Sequence, residues 1–261
     1  MTTELVHYAC DDRGVATVTL DDPSTRNALG DAMLDQLIDV LERAKHDDAA
    51  RVVVVRSADP KVFSSGGNIK AFAELGPLVE KYDGLSRFPV LYRLLGSLGK
   101  PVVCAAEADV LAGAFGLALA CDFIVAVDSV RFGCPEINVG VFPFMISALI
   151  YRSVPRARAN ELMMTGQLID ATEAQRMDIV NRAVPREEFA QELERLVGRL
   201  ATRSPLLMRM GKDALDATRD MSFGDALGYL RAQLALAFST QDIGEGVAAF
   251  REKREPNWTG H

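Results

Sequence analysis

The chain has 261 residues, of which 49% are hydrophobic and 25% charged, and its formal net charge is −7. This suits one large domain, or a domain with a smaller appendage, of ordinary globular composition. The acidic balance argues against nucleic acid or an anionic membrane surface as a partner, no apolar run reaches membrane-spanning length, and residues 1–10 lack the basic-then-apolar pattern of a signal peptide. In chain order, residues 6–10 and 15–20 flank Asp11-Asp12-Arg13-Gly14, a β-hairpin signal. A polar loop over residues 21–29 leads to Asp31. From there Met33, Leu34, Leu37, Ile38 and Leu41 recur at helical spacing. Residues 52–55, four valines, read as a buried strand.

Next comes Phe63-Ser64-Ser65-Gly66-Gly67-Asn68-Ile69-Lys70. A strand precedes it and a helical pattern over residues 69–75 follows, so it is a strand-to-helix corner. Asn68 suits the N-cap. The paired glycines let backbone approach a ligand, and a helix start aims free N–H groups outward. Such a corner can serve an oxyanion or a phosphate, or be only a tight turn that needs glycine.

Residues 71–99 are helical in pattern, interrupted at Gly76-Pro77, Gly84 and Pro89, which predicts two helical pieces with a mobile joint. Residues 102–106 read as a strand. Residues 110–122 are rich in small residues at helical spacing and predict a tightly packed helix with Gly113 near its start, a second corner like the first. Residues 123–127 form a strand, and residues 131–140 a strand running into a turn. Strands alternating with helices predict an α/β core with parallel pairing. The remainder is mostly helical, with helices over 156–165, 171–177, 186–201, 205–218, 223–239 and 243–253 and a strand over 179–184.

The four cysteines, Cys10, Cys104, Cys121 and Cys134, are scattered and form no C-x-x-C pair. Neither a zinc site nor a disulfide framework is indicated, and a reducing, cytoplasmic setting is expected. The three histidines, His7, His46 and His261, lie outside the glycine-bearing stretches. A Ser-His-Asp or Cys-His mechanism therefore lacks an evident base, and acid–base chemistry falls to a carboxylate.

Together the residues resemble the crotonase, or enoyl-CoA hydratase/isomerase, superfamily. The resemblance is carried, in order along the chain, by Asn27-Ala28-Leu29 with Met33, by residues 63–70, by residues 110–122, by Pro135-Glu136, by Thr165-Gly166, by Asn181-Arg182-Ala183-Val184, and by Glu245-Gly246-Val247-Ala248-Ala249-Phe250 followed by Lys253-Arg254. It implies a spiral of ββα turns over residues 1–200 that carries the acyl-CoA site. It also implies a C-terminal helical region over 201–261 that assembles a homotrimer or a dimer of trimers. The substrate implied is an acyl-CoA thioester, with no cofactor beyond the coenzyme A of the substrate and no metal. By position, Gly67 and Gly113 become the two backbone donors to the thioester oxygen, and Glu136 the acid/base. Alone, Glu136 reads more readily as a turn carboxylate that caps the next segment or pairs with an arginine, and the resemblance reverses that preference. In an apolar pocket its pKa would rise towards neutrality.

The resemblance further places coenzyme A against Arg26, Ala28, Ser65, Asn68, Ile69 and Lys70, with Phe250 and Lys253 supplied by a neighbouring subunit. The plainer readings are solvated charges for Arg26 and Lys70, and a helix stripe for Phe250 and Lys253. Two departures stand out. Hydratases of this family carry a second glutamate where this chain has Gly116. The glycine-rich tract usual after the Glu136 segment reads Phe142-Pro143-Phe144-Met145-Ile146-Ser147, which is bulkier and narrows or shifts the acyl pocket. A single glutamate favours an isomerase that takes and returns one proton, whereas the family at large favours a hydratase. Asn138, two residues past Glu136, would either place a water or shape the turn, and Gly116 would otherwise be a packing glycine. A weakly active CoA-thioester-binding protein is the alternative of another class.

Overall fold

The computed structural model describes residues 3–67 and 77–261. The helix expected over 69–75 and the cap expected at Asn68 lie outside the described residues. Strands β1 (Val6–Cys10) and β2 (Val15–Leu20) form the expected hairpin, in full antiparallel register. Asp11 closes its turn by accepting the N–H groups of Arg13 and Val15 at 3.0 and 2.9 Å. Helix α1 (Asp31–His46) buries Met33, Leu34, Leu37, Leu41 and Ala44, the stripe that its spacing predicts, and leads to β3 (Val52–Ser57).

From β3 onwards the chain repeats one move. A strand enters a large sheet, a short strand enters a second sheet, and the chain then turns into a helix. The repeats are β3 with β4 (Val62–Ser64), β5 (Val102–Ala106) with β6 (Asp109–Leu111), and β7 (Phe123–Val127) with β8 (Arg131–Gly133). The large sheet has the order β1-β2-β3-β5-β7-β10, where β10 is Arg182–Val184, and every pairing beyond the first hairpin is parallel. The small sheet has the order β4-β6-β8-β9, where β9 is Ile169–Asp170, and β4, β6 and β8 are mutually parallel. Val52, Val53, Val54 and Val55 are all buried, as in a parallel sheet covered on both faces. This is the expected spiral of ββα turns.

Two helices, α2 (Leu78–Leu85) and α3 (Arg87–Gly96), precede β5. The break falls at Ser86, not at Gly84 or Pro89. Gly84 has no neighbour to crowd it within α2. Pro89 sits in the first turn of α3, where no intrahelical N–H is lost. The stretch expected to be helical from Val110 divides into β6 and α4 (Gly113–Ala120), because Val110 and Leu111 pair with Phe132 and Gly133 of β8. After β8 a single 3₁₀ turn spans Pro135–Val139. Helix α5 (Phe144–Ser153) follows and is absent from the sequence reading.

Helices α6 (Arg156–Thr165), α7 (Ala171–Arg176) and α8 (Arg186–Ala201) complete the spiral. The last strand is shorter than expected, starting at Arg182, because the N–H groups of Ile179 and Val180 turn back to the Ala174 carbonyl at 2.9 and 3.3 Å. Helices α9 (Pro205–Thr218), α10 (Phe223–Ala237) and α11 (Gln241–Glu252) close the chain. Lys212 of α9 is buried and anchors this region to the spiral. Its Nζ bonds Asp122 at 2.6 Å and the Lys100 carbonyl at 3.0 Å. Asp242, fully buried, pins the last residues through the N–H groups of Thr259 and Gly260. All four cysteines are free thiols. Among the described residues no helix is long and apolar enough to cross a membrane.

Candidate active site

The three strands of the small sheet run parallel side by side, so their C-terminal ends share one edge. Neighbouring strands lie about 4.8 Å apart. The corners that follow β4, β6 and β8 carry Gly66-Gly67, Ala112-Gly113 and Pro135-Glu136, and the sheet therefore delivers all three to one place.

The first corner rests on Asn27. This residue is fully buried at a φ of +54° and is saturated with partners. Its Nδ2 donates to Ser57 Oγ at 2.8 Å and to the Phe63 carbonyl at 3.0 Å, and its Oδ1 accepts the Asp22 N–H at 2.6 Å. Its own carbonyl accepts Ser64 Oγ at 2.5 Å. Asn27 thus staples the loop at residues 21–29 to β4. Leu29 N–H bonds the Gly66 carbonyl at 2.7 Å, making a parallel bridge between Leu29 and Gly67. That bridge uses the groups flanking Gly67, so the Gly67 amide points to the opposite side, towards the second corner.

The two corners touch. Gly66 has a φ of +85°, and a Cβ there would overlap the Ala112 methyl and lie 2.9 Å from the Leu111 carbonyl and 3.0 Å from Gly113 N. Only glycine allows this approach. Ala112 itself is held at a φ of +52°, a conformation costing an L-residue about 1 kcal/mol or more. Its N–H is bonded to the Gly133 carbonyl at 2.9 Å. The turn sets Gly113 at the N-terminus of α4. Gly67 N lies 3.5 Å from where a Gly113 Cβ would be. Among the described residues no acceptor takes the N–H of Gly67 or of Gly113. Two adjacent, unengaged amides, that of Gly113 at the start of α4, form a donor pair suited to a carbonyl oxygen that gains negative charge.

Glu136 stands at the third corner, in the 3₁₀ turn. Its backbone carbonyl accepts the Val141 N–H at 3.1 Å, and Gly140 ends the turn in the left-handed region. The carboxyl is different. Its Oε2 is buried and has no hydrogen-bond partner, and no arginine or lysine pairs with it among the described residues. Burial raises its pKa from 4.5 to about 7, against the opposing effect of a hydrogen bond from its own backbone N–H. The arginine-paired reading of Glu136 is therefore excluded, as is a capping role for Oε2. A carboxyl poised near neutrality can take and return a proton.

Asn138 is directed elsewhere. Its amide atoms lie 2.8 and 3.0 Å from where a Gly166 Cβ would be, packing the 3₁₀ turn against the left-handed end of α6. This accounts for the Thr165-Gly166 motif and leaves Asn138 shaping the turn. Gly116 is a packing glycine. A Cβ there would lie 2.5 Å from Ile146 Cγ2 and 2.5 Å from Tyr92 Oη. The bulky tract after Glu136, through Ile146, and the aromatic face of α3 thus fill the space over Gly116.

Tyr92 is the residue that the sequence reading lacked. Its hydroxyl donates to the Gly113 carbonyl at 3.2 Å, and its ring lies 6.0 Å from that of Phe88, which packs on Gly113. The available signal is the aromatic pair Phe88 and Tyr92 at i, i+4 on α3.

The other expected site residues divide. Arg26, Ala28 and Ser65 join the first corner: the Ser65 N–H bonds the Arg26 carbonyl at 3.0 Å, and the Ala28 N–H bonds Thr25 Oγ1 at 3.1 Å. The Arg26 side chain is exposed. Asn68, Ile69 and Lys70 lie outside the described residues. Phe250, 86% exposed, and Lys253 stand at the C-terminal end of α11, where no hydrogen bond or ion pair links them to the three corners. Elsewhere a cleft of about 950 Å³ opens between the Asp11–Gly14 turn, the end of α8 and Trp258. None of the three corners lines it. Among the described residues no cluster of His, Cys, Asp and Glu could hold a metal ion.

A family model described as enoyl-CoA hydratase/isomerase matches residues 11–261. The chain belongs to the enoyl-CoA hydratase/isomerase family. It is 32% identical over 261 residues to a probable enoyl-CoA hydratase of Mycobacterium bovis, with 99% of each chain covered. It is 31% identical to the 2,3-dehydroadipyl-CoA hydratase of Escherichia coli, covering 94% of this chain and 95% of that one. Its fold matches the crystal structure of an enoyl-CoA hydratase from Mycobacterium smegmatis with a TM-score of 0.94 at 28% identity, covering 98% and 99%. The chain is an enzyme of this family with the crotonase fold.

Proposed function

We propose that this family member is an enoyl-CoA hydratase that forms its thioester enolate at the three corners of the small sheet. The observation that carries the reading is the unpartnered, partly buried carboxyl of Glu136, raised to about 7, beside two unengaged amides. The N–H groups of Gly67 and Gly113 hold the thioester oxygen as negative charge develops on it. One such donor is typically worth roughly 3 kcal/mol of transition-state stabilisation. Glu136 moves the proton. Arg26, Ala28 and Ser65 line the approach for the coenzyme A portion. No separate cofactor enters the reaction.

We assign the exposed apolar face of α10 to contacts with further copies of the chain, in a trimer or a pair of trimers. No residue of α10 is buried within one chain, and Phe223 and Leu227 are 81% and 53% exposed. Such assembly brings Phe250 and Lys253 of one copy towards the coenzyme A of another. The free thiols fit a cytoplasmic setting.

The test offers crotonyl-CoA and a 3-enoyl-CoA separately and follows the conjugated-thioester absorbance. Loss of absorbance with the first is expected. A gain with the second alone would make the enzyme an isomerase, a reading favoured by the filled space over Gly116 and the single carboxyl. Binding of both esters without any change would leave a CoA-thioester-binding protein.

A further inference from the structure

We infer that the phenol of Tyr92 serves as the second polar group of the hydration site, holding the attacking water against Glu136. The inference rests on the hydratase reading. Three atoms lie nearest to the Cβ position of residue 116: Ile146 Cγ2, Tyr92 Oη and Tyr92 Cζ. Tyr92 therefore brings the polar atom to a space that is otherwise closed by a methyl group. Its hydroxyl proton is committed to the Gly113 carbonyl at 3.2 Å, which leaves the oxygen lone pairs as acceptors. The ring is fixed from behind by Phe88, which also packs on Gly113, so the hydroxyl moves with the second corner. Burial, and the negative charge of Glu136, hold the phenol pKa well above its ordinary value, so the hydroxyl stays neutral and keeps its hydrogen bond throughout.

A water between the two groups donates one hydrogen to Tyr92 Oη and the other to the Glu136 carboxylate. Its oxygen then bonds to C3 of the enoyl thioester. The C2–C3 π pair moves to the thioester oxygen, where the amides of Gly67 and Gly113 meet it. Glu136 takes the proton that water gives up and returns it to C2 as the carbonyl re-forms. One water is added, nothing is oxidised or reduced, and the phenol keeps its proton.

The test separates water placement from enolate formation. Hydration is measured with crotonyl-CoA. Enolate formation is measured with butyryl-CoA in deuterium oxide as exchange of the C2 proton, which needs Glu136 and the two amides but no added water. Tyr92→Phe should lower kcat for hydration roughly 10- to 100-fold, the scale of losing the orientation of one reactant, with KM and C2 exchange little changed. Gly116→Ala keeps the phenol but sets a methyl 2.5 Å from both its oxygen and Ile146 Cγ2, and once its fold is checked by urea unfolding it should show the same split. It serves where Tyr92→Phe fails to fold. Hydration unchanged in both folded variants, or hydration and exchange falling together, overturns the assignment of Tyr92. A wild-type enzyme that exchanges C2 but does not hydrate also overturns it, leaving the enolate site intact. A wild-type enzyme that does neither brings down the hydratase reading with it.

Discussion

Asn27 and Glu136 are both polar residues set beside the same donor pair, and they are treated in opposite ways. Asn27 has lost all contact with solvent and meets Ser57, Phe63, Asp22 and Ser64. Glu136 keeps a buried carboxylate oxygen that finds no hydrogen-bond partner among the described residues. Burying a polar group is tolerable when its bonds are replaced and costly when they are not. The saturated residue fixes a corner. The starved one waits for a ligand. Two polar side chains that look alike on a sequence, each next to a glycine corner, are thus separated by their hydrogen bonds: one is fully engaged in the fold, and the other is left for the chemical role proposed for it.

The contrast is most sharply tested by Glu136→Gln. Both hydration of crotonyl-CoA and C2 exchange should fall about 10³-fold or more, within the range for removing a general acid–base group. The same substitution should stabilise the fold at alkaline pH. The folded carboxyl binds its proton more tightly than the unfolded one, so the wild type loses stability as pH rises from about 4.5 through about 7. Above that window the full penalty of roughly 3 kcal/mol applies, and the variant escapes it. Urea unfolding of both proteins at pH 5 and pH 8 should show a gap that opens only at the higher pH. A constant gap would mean that the carboxyl is not desolvated.

Asn27→Ala should do the reverse. It removes no chemistry but strands buried groups, and about 2–4 kcal/mol of stability should be lost at every pH. Activity should fall as the first corner loosens. A pH-dependent loss would show that its role had been misread. Gly66→Ala probes the contact that sets the two corners. The added methyl meets Ala112 and the Leu111 carbonyl, at a backbone angle that alanine resists. A loss of about 10²-fold in kcat is expected from displacement of one amide by an ångström or so.

The pH profile of kcat/KM is a gentler probe. If Glu136 acts first as a base, the rate rises through about pH 7 and then levels. That limb should vanish in Glu136→Gln. The smallest expected effect on the chemistry itself comes from Leu234→Glu on α10, where the side chain is 54% exposed. Light scattering should report a lower mass than wild type, and KM for the CoA ester should rise if Phe250 and Lys253 act across copies.

Much of this was legible in the sequence, and the limit has a physical form. Local signals sufficed wherever chain neighbours decide the outcome. The β7 strand, the α6 and α8 helices and the hairpin fall where periodicity puts them. Both glycine corners and Glu136 were visible because each lies in a short motif of a recognisable family. Tyr92 was not, because it enters the site from α3, more than twenty residues before Gly113, and only the packing of α3 over α4 brings it there. The division of residues 110–122 into strand and helix was hidden for a similar reason. Alanine-rich sequence favours a helix, and pairing with β8 overrides it at Val110 and Leu111. Helix α5 was obscured by reading its start only as a departure from a glycine tract.

The contact between Gly66 and the Ala112 methyl has a further consequence. The spacing of the two corners is set by the Gly66 backbone against the Ala112 methyl and the Leu111–Gly113 backbone, with no rotatable side chain in the path. A hole built from side chains must freeze their rotamers each time a substrate arrives. The donor pair proposed for Gly67 and Gly113 has almost no such freedom to lose, because both donors are backbone amides whose places are set when the chain folds. The strain at Ala112 is part of that arrangement. If the two amides hold a thioester oxygen as proposed, folding has already set the spacing which that oxygen meets on arrival.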